Sequence, residues 1–267
     1  MNRQKARRTI LMISMLLMPV VINYYSPYLI IEGSMQGIVV GSMVFFGLLF
    51  ASSLFFGRAY CGWLCPFSGY MEALSHADPK PTNSRRGHIF KWAYWIVWIG
   101  VITYTAMRAG GYSTINLLYN TENIISVDQP SRYIFLYFPV LGLATLITIT
   151  TGKRGWCHYI CWAGNFSALG SLIKNKLKWP SLHLEAGNNC AHCKTCSMVC
   201  SKSLNVYEMV QSGRFDDPEC ILCGNCVDNC PMNNIKYSWN WKPEKTNISV
   251  NEVKQLVEAK QNILNKA

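Results

Sequence analysis

The chain has 267 residues, half of them hydrophobic and only 15% charged, with a formal charge of +11. Soluble domains carry about 25% charged residues, and the apolar residues here crowd into the first 150 positions, which points away from one large soluble core and towards a membrane portion. The basic excess is no nucleic-acid footprint, because no Lys/Arg run is interleaved with aromatics in a polar segment.

Residues 1–8 are a basic arm carrying Arg3, Lys5, Arg7 and Arg8. Four stretches then lack Asp, Glu, Lys and Arg altogether: 9–31, 33–57, 92–107 and 133–152. A bilayer-spanning helix needs about 20 apolar residues, and the short third stretch is extended by Ile89, Phe90 and a snorkelling Lys91. The pattern predicts four transmembrane helices. No small-residue cleavage site follows the first stretch around Tyr28 to Glu32, so it reads as an anchor rather than a signal peptide. Gly33, Gly37 and Gly41 form a small-residue face on the second span, suited to dimerisation or to packing within the chain.

Residues 71–88 read as a polar loop, and Ile115, Leu117, Leu118, Ile124 and Ile125 suggest a short amphipathic helix within 109–131. Lys/Arg residues gather in the amino terminus, in 58–91 and after residue 152, whereas 32–36 has none and 108–132 only Arg108 and Arg132. The positive-inside rule then places both termini in the cytoplasm, with the protein in the cytoplasmic membrane and the lipid bilayer as its first partner. Trp92, Trp95 and Trp98, with Tyr24, Tyr25 and Tyr28, read as belt and packing residues.

Residues 57–69 read G-R-A-Y-C-G-W-L-C-P-F-S-G, and 152–164 read G-K-R-G-W-C-H-Y-I-C-W-A-G. Each places an arginine (Arg58, Arg154) and an aromatic (Tyr60, Trp156) before a C-x3-C pair, Cys61/Cys65 and Cys157/Cys161, just after an even-numbered predicted span. This is an internal repeat of two helical hairpins, and packing about a pseudo-twofold axis would bring the two pairs together. On a helix, the spacing puts both sulfurs on one face. Four converging thiols could hold a metal or an Fe–S centre, or perform dithiol chemistry, and the neighbouring arginines would favour thiolates. His158, beside Cys157, could be a ligand or a relay, with a surface or satisfied histidine the plainer reading.

After a basic linker ending at Trp179-Pro180, residues 180–241 hold C-x2-C-x2-C-x3-C twice, thirty residues apart: Cys190, Cys193, Cys196, Cys200 and Cys220, Cys223, Cys226, Cys230, the last followed by Pro231. This is the spacing of bacterial-type ferredoxins with two [4Fe–4S] clusters, where the fourth cysteine of each run ligates the other run's cluster. One cluster would take Cys190, Cys193, Cys196 and Cys230, and the other Cys220, Cys223, Cys226 and Cys200. His192, inside the first run, reads as tuning hydration rather than binding iron. Residues 242–267 predict a further amphipathic helix, with Ser249 and Glu252 as its capping box.

The expected fold is thus an all-α membrane domain of four transmembrane helices (1–179) with a small α+β ferredoxin-like domain. This arrangement of motifs over roughly residues 1–241 resembles the membrane-bound ferredoxin-type quinol dehydrogenase family, the NapH-like proteins, and is similar to NosR-like and FixG-like membrane iron–sulfur proteins. The resemblance implies electron exchange between the membrane quinone pool and cytoplasmic clusters. It also implies that Cys61, Cys65, Cys157 and Cys161 are the membrane-proximal redox or metal-binding cysteines. Three departures stand out: His158 follows Cys157, Trp162 follows Cys161 where the family motif has proline, and Ser201 stands where the first ferredoxin run often has proline. A quinone headgroup would need a polar partner, for which Arg58, His76, His88 and Arg154 are candidates. The redox protein partner stays open. The rival readings are a thiolate-based copper reductase and a membrane anchor or assembly subunit of a redox complex.

Overall fold

The computed structural model describes residues 3–77, 79–82, 84–121, 125–127 and 129–239. The expected tail helix over 242–267 lies outside them, as do Asp78, Ile124 and the side chain of His76.

Helix α1 (Arg3–Leu16) leads into α2 (Met18–Val21) and a 3-10 turn at Ile22–Tyr25. The axis bends by 59° between them. Pro19 lies in the first turn of α2 and has no N–H to continue the α1 ladder, which accounts for the break. Ser26 then caps α3 (Pro27–Met35), its Oγ accepting from the Leu29 amide at 3.4 Å. Gly37 follows at φ +67°, strand β1 (Ile38–Val40) comes next, and only then α4 (Gly41–Phe56). The stretches expected as two continuous spans, 9–31 and 33–57, are therefore broken helices. With 16 residues, α4 is about 24 Å long at 1.5 Å per residue, short of a hydrocarbon core of about 30 Å.

Short helix α5 (Ala59–Trp63) and α6 (Pro66–Ala77) precede α7 (Ser84–Arg108), so most of the expected 71–88 loop is helical. Strand β2 (Thr114–Asn116) pairs in parallel with β1, Ile38 opposite Thr114; this replaces the expected surface helix, whose Ile115, Leu117 and Leu118 are exposed. Helix α8 (Pro130–Arg132) runs through a π-turn at Tyr133–Tyr137 into α9 (Phe138–Thr151), followed by α10 (Gly155–Tyr159) and α11 (Trp162–Leu177). Among the described residues two helices are long and apolar enough to cross a membrane, Gly87–Arg108 and Pro130–Thr151, and the bent α1–α2 pair would make three. The glycine face predicted on the second span is not a helix face. A Cβ on Gly37 would meet the Gly111 carbonyl oxygen at 2.8 Å and one on Gly41 the Leu117 carbonyl oxygen at 2.3 Å, so these glycines serve close packing within the chain.

The internal repeat is present. Gly57 (φ +56°) ends α4 and Gly152 (φ +96°) ends α9, each handing over to a five-residue helix and then a long one. The packing is not symmetric: α11 lies on α4 of the first half, while α6 packs chiefly on α1 of its own half and only touches α9.

The remaining residues form the small α+β region. Strand β3 (His183–Ala186) pairs antiparallel with β4 (Ile235–Ser238), bracketing α12 (Thr195–Met198), α13 (Val206–Ser212) and α14 (Asn225–Asp228). Leu184, Leu204, Val206, Val210, Phe215, Leu222 and Ile235 are its buried core. The linker is tied down, with the Trp179 indole N–H donating to the Leu54 carbonyl at 2.7 Å and the Leu182 amide to Phe55 at 2.7 Å. The amino terminus meets the same region, where Arg3 pairs with Asp228.

Candidate electron-transfer site

The two ferredoxin runs fold as backbone copies. His192 and Leu222, Lys194 and Gly224, and Ser203 and Asn233 occupy equivalent positions, all with positive φ between 48° and 78°. These left-handed residues curl each loop around one cavity. One cavity is lined by Cys190, Cys193, Cys196 and Cys230, the other by Cys200, Cys220, Cys223 and Cys226. Each thus receives the fourth cysteine from the opposite run. Apolar side chains complete the inner cavity, and burial pushes the Cys200 and Cys220 thiols up to about 11 and about 12. Four thiols facing one dry space fit the donor set of an iron–sulfur cluster. The outer set reaches the surface through the exposed Cys193. His192 Nδ1 lies 3.0 Å from the Tyr207 hydroxyl.

The C-x3-C pairs do not sit on continuous helices. Cys61 belongs to α5 and Cys65 precedes α6; Cys157 belongs to α10 and Cys161 caps α11, its sulfur accepting from the Gly164 amide at 3.3 Å. The two turns match bond for bond. The Leu64 and Cys65 amides donate to Tyr60 O at 2.9 and 3.0 Å, while Ile160 and Cys161 donate to Trp156 O at 3.0 and 3.1 Å.

Cys65, Cys157 and Cys161 pack in one cluster, and burial first, then the neighbouring cysteines, Cys61 among them, push Cys161 up to about 12 and Cys65 well above the ordinary thiol range. Arg58 does lower the Cys161 thiol, as expected of a neighbouring cation, but burial and the neighbouring cysteines outweigh it. A mononuclear tetrahedral site, with metal–sulfur bonds of about 2.3 Å, would hold its sulfurs within about 4 Å of one another. Among the described residues no three of these cysteines bring their sulfurs within 4.8 Å, nor do those of the ferredoxin runs.

Two buried carboxylates organise the surroundings. Glu72 on α6 binds Arg7 at 2.5 Å and also Arg154, which reaches Ser68 as well; the paired guanidinium groups hold its carboxyl down to about 2 against the cost of burial. Glu219, immediately before Cys220, binds Arg58 and Lys91 at 2.5 Å each and Lys202 at 3.1 Å. Lys91 is fully buried and does not snorkel. His158 is buried too, and neither of its ring nitrogens has a hydrogen-bond partner. It is therefore neither a surface nor a satisfied histidine. Sequence reasoning missed both glutamates, although Glu72 is the only acidic residue between Glu32 and Asp78.

Beside the quartet lies an apolar cavity of about 370 Å³, with Tyr25, Phe67, Val140, Trp156 and Cys161 in its wall. Phe67 and Trp156 stack at 5.9 Å, and the Tyr25 and Tyr60 hydroxyls share a hydrogen bond. Neither Arg58, His88 nor Arg154 lines it. Trp95 and Trp98 pack against Phe166, as expected of packing residues.

The comparisons agree with this geometry. A model described as a 4Fe-4S binding domain matches residues 38–82 and 134–180, the two C-x3-C segments, and a 4Fe-4S dicluster domain model matches 189–235. The chain is a 4Fe–4S ferredoxin-type electron-transport protein with candidate membrane helices, and its cysteine motifs indicate iron–sulfur clusters. Its relatives include MJ0750 of Methanocaldococcus jannaschii, 24% identical over 80% of this chain and 84% of that protein. YccM of Escherichia coli, named as a candidate electron transport protein, is 21% identical over 77% of this chain and 57% of its own length. The nitrogen fixation protein FixG of Rhizobium meliloti is 24% identical over 70% of this chain and 40% of its own length. The chain thus spans about half the length of the last two. No solved structure matches it.

Proposed function

We propose that this protein exchanges electrons between a membrane quinone and a soluble redox partner, with two [4Fe–4S] clusters on the ferredoxin cysteines and a third iron–sulfur centre on Cys61, Cys65, Cys157 and Cys161. The observation that carries the reading is the apolar cavity that has Cys161 in its wall. Its size suits a ring with an isoprenoid stem, and Leu136, Val140 and Leu143 bring it to the face of a candidate span. When bound, the clusters supply reversible one-electron chemistry. The chain supplies position and exclusion of water. Phe67 and Trp156 give the ring a flat wall, and the Tyr25 hydroxyl, tied to Tyr60 beside Cys61, is placed to bond a quinone oxygen.

The order of the cysteine sets supports a path across the molecule. The quartet touches the cavity; Lys202 Nζ, two residues from Cys200, lies 3.5 Å from the Cys157 carbonyl oxygen; and the outer set opens to solvent at Cys193. With the Lys/Arg distribution, the Arg3–Asp228 contact supports an orientation that puts the amino terminus and the ferredoxin domain together in the cytoplasm.

The test is anaerobic mixing of purified protein with a quinol analogue. Cluster absorbance should bleach, and Val140→Phe, which fills the cavity, should slow this at least tenfold without slowing reduction by dithionite. No exchange with any quinol would overturn the quinone assignment.

A further inference from the structure

Glu219 sits where three elements meet. Arg58 precedes α5, Lys91 is on α7, and Lys202 follows the first ferredoxin run; all three side chains are at most 2% exposed, as is Glu219 itself. The carboxylate gathers three cationic side chains in a space buried from solvent. Asp217 Oδ1 accepts from the Glu219 amide at 2.8 Å. With Arg58, Lys91 and Lys202 all charged and Asp217 counted as a full anion, three positive charges against two negative ones leave a surplus of one. His88 and His158 also lie here and bring no negative charge.

The ligand atoms of His88, His158 and Glu219 fall within 4.8 Å of one another, a spacing a metal ion could use. The charges argue against it. Glu219 Oε1 already faces Lys91 and Oε2 faces Arg58 and Lys202, so a divalent cation would enter against three like charges. The cluster is built to hold positive charge, not to receive more.

Its place gives that charge a use. Glu219 adjoins Cys220, Lys202 is two residues from Cys200, and Lys202 also reaches towards the Cys157 carbonyl. Arg58 feels both Cys61 and Cys161. The hub thus lies between the C-x3-C quartet and the inner ferredoxin set. By contrast, the cation beside the outer set is Lys194, which lies over the Tyr207 ring at 5.5 Å. A buried charge is screened far less than an exposed one.

We infer that Arg58, Lys91 and Lys202, clamped by Glu219, form a fixed positive charge that raises the reduction potential of the inner cluster relative to the outer one and draws electrons across the domain junction. A reduced cluster carries one more negative charge than an oxidised one, so a neighbouring cation stabilises it. The inference rests on the assignment of Cys200, Cys220, Cys223 and Cys226 to one [4Fe–4S] cluster.

An EPR-monitored redox titration of the full-length, anaerobically purified protein tests it. Lys202→Met should lower the inner cluster's potential, shifting its oxidised-to-reduced ratio at fixed poise at least tenfold, which is 59 mV for one electron. Glu219→Gln, which removes a negative charge and keeps the shape, should shift it the other way. Lys202→Arg should restore the wild-type value, and the outer cluster should move little in every variant. A structural disturbance would not change sign with charge. Intact signals with no shift, or with shifts of one sign in both charge variants, would overturn the inference alone. A wild type lacking the second cluster signal would overturn the ligand assignment and the inference with it.

Discussion

The two halves of the membrane portion solve one problem with different partners. In the second half Arg154 is neutralised by Glu72, which comes from α6 of the first half and is shared with Arg7 of α1. Counting from the matched cysteines, the residue that should return the favour to Arg58 is Ala168 on α11, and it is fully buried. Arg58 instead takes Glu219 from the ferredoxin region, with Lys91 of α7 in the role of Arg7. The same offset sets His158 opposite Gly62, whose missing side chain admits the backbone of Ile221. One arginine site is closed between the two halves of the membrane portion; the other is left open, and the ferredoxin region completes it. A duplicated unit thereby acquires a single, specific dock for its clusters.

The largest break in this comparison should come from Glu219→Ala. It strands Arg58 and Lys91 without a partner, and removing one member of a buried pair costs about 3–5 kcal/mol; thermal unfolding in detergent should show the loss. Glu72 should show the next largest effect, and should show it through pH. Its carboxyl is held at about 2 against an ordinary 4.5, so its contribution is full above 4.5 and fades as pH falls towards 2. The amount is on the order of 3 kcal/mol, and Glu72→Gln should flatten that part of the acid-unfolding profile.

Gly62→Ala probes the dock directly. Its Cβ would lie 2.1 Å from the Ile221 carbonyl oxygen, a clash with backbone that should cost about 1–3 kcal/mol. Gly47→Ala and Gly100→Ala, with nothing within 4 Å, should not destabilise the protein. Smallest should be Asp228→Asn, because the Arg3 pair is partly exposed and such pairs are worth about 1 kcal/mol at most. If it matched Glu219→Ala, the dock would lie at the amino terminus instead.

The cysteine chemistry was legible in the sequence because spacing alone carries it. Both ferredoxin runs and the duplicated C-x3-C motif fold as repeats, down to matched positive-φ residues and matched turn hydrogen bonds. The spans were less legible. An uncharged stretch satisfies a hydropathy window whether or not it is one helix, and Pro19, Pro27 and Gly37 break the first two. Placing each C-x3-C pair on one helix failed for a related reason: the turn at Leu64 and at Ile160 puts the second cysteine at the start of the next helix. The carboxylate hubs left no local trace, since Lys91 and Glu219 are 128 residues apart. Lys91 near a predicted helix end looks the same in sequence whether it snorkels or pairs.

Metal analysis bears most directly on the claim that the membrane-proximal quartet holds its own iron–sulfur centre. Iron and acid-labile sulfide should be counted per chain, with EPR, in the anaerobic wild type and in the Cys61→Ser/Cys157→Ser double variant. A third cubane predicts about twelve irons in the wild type and about eight in the variant, with both ferredoxin signals retained. About eight in each would contradict it, and would leave the four cysteines without a cluster.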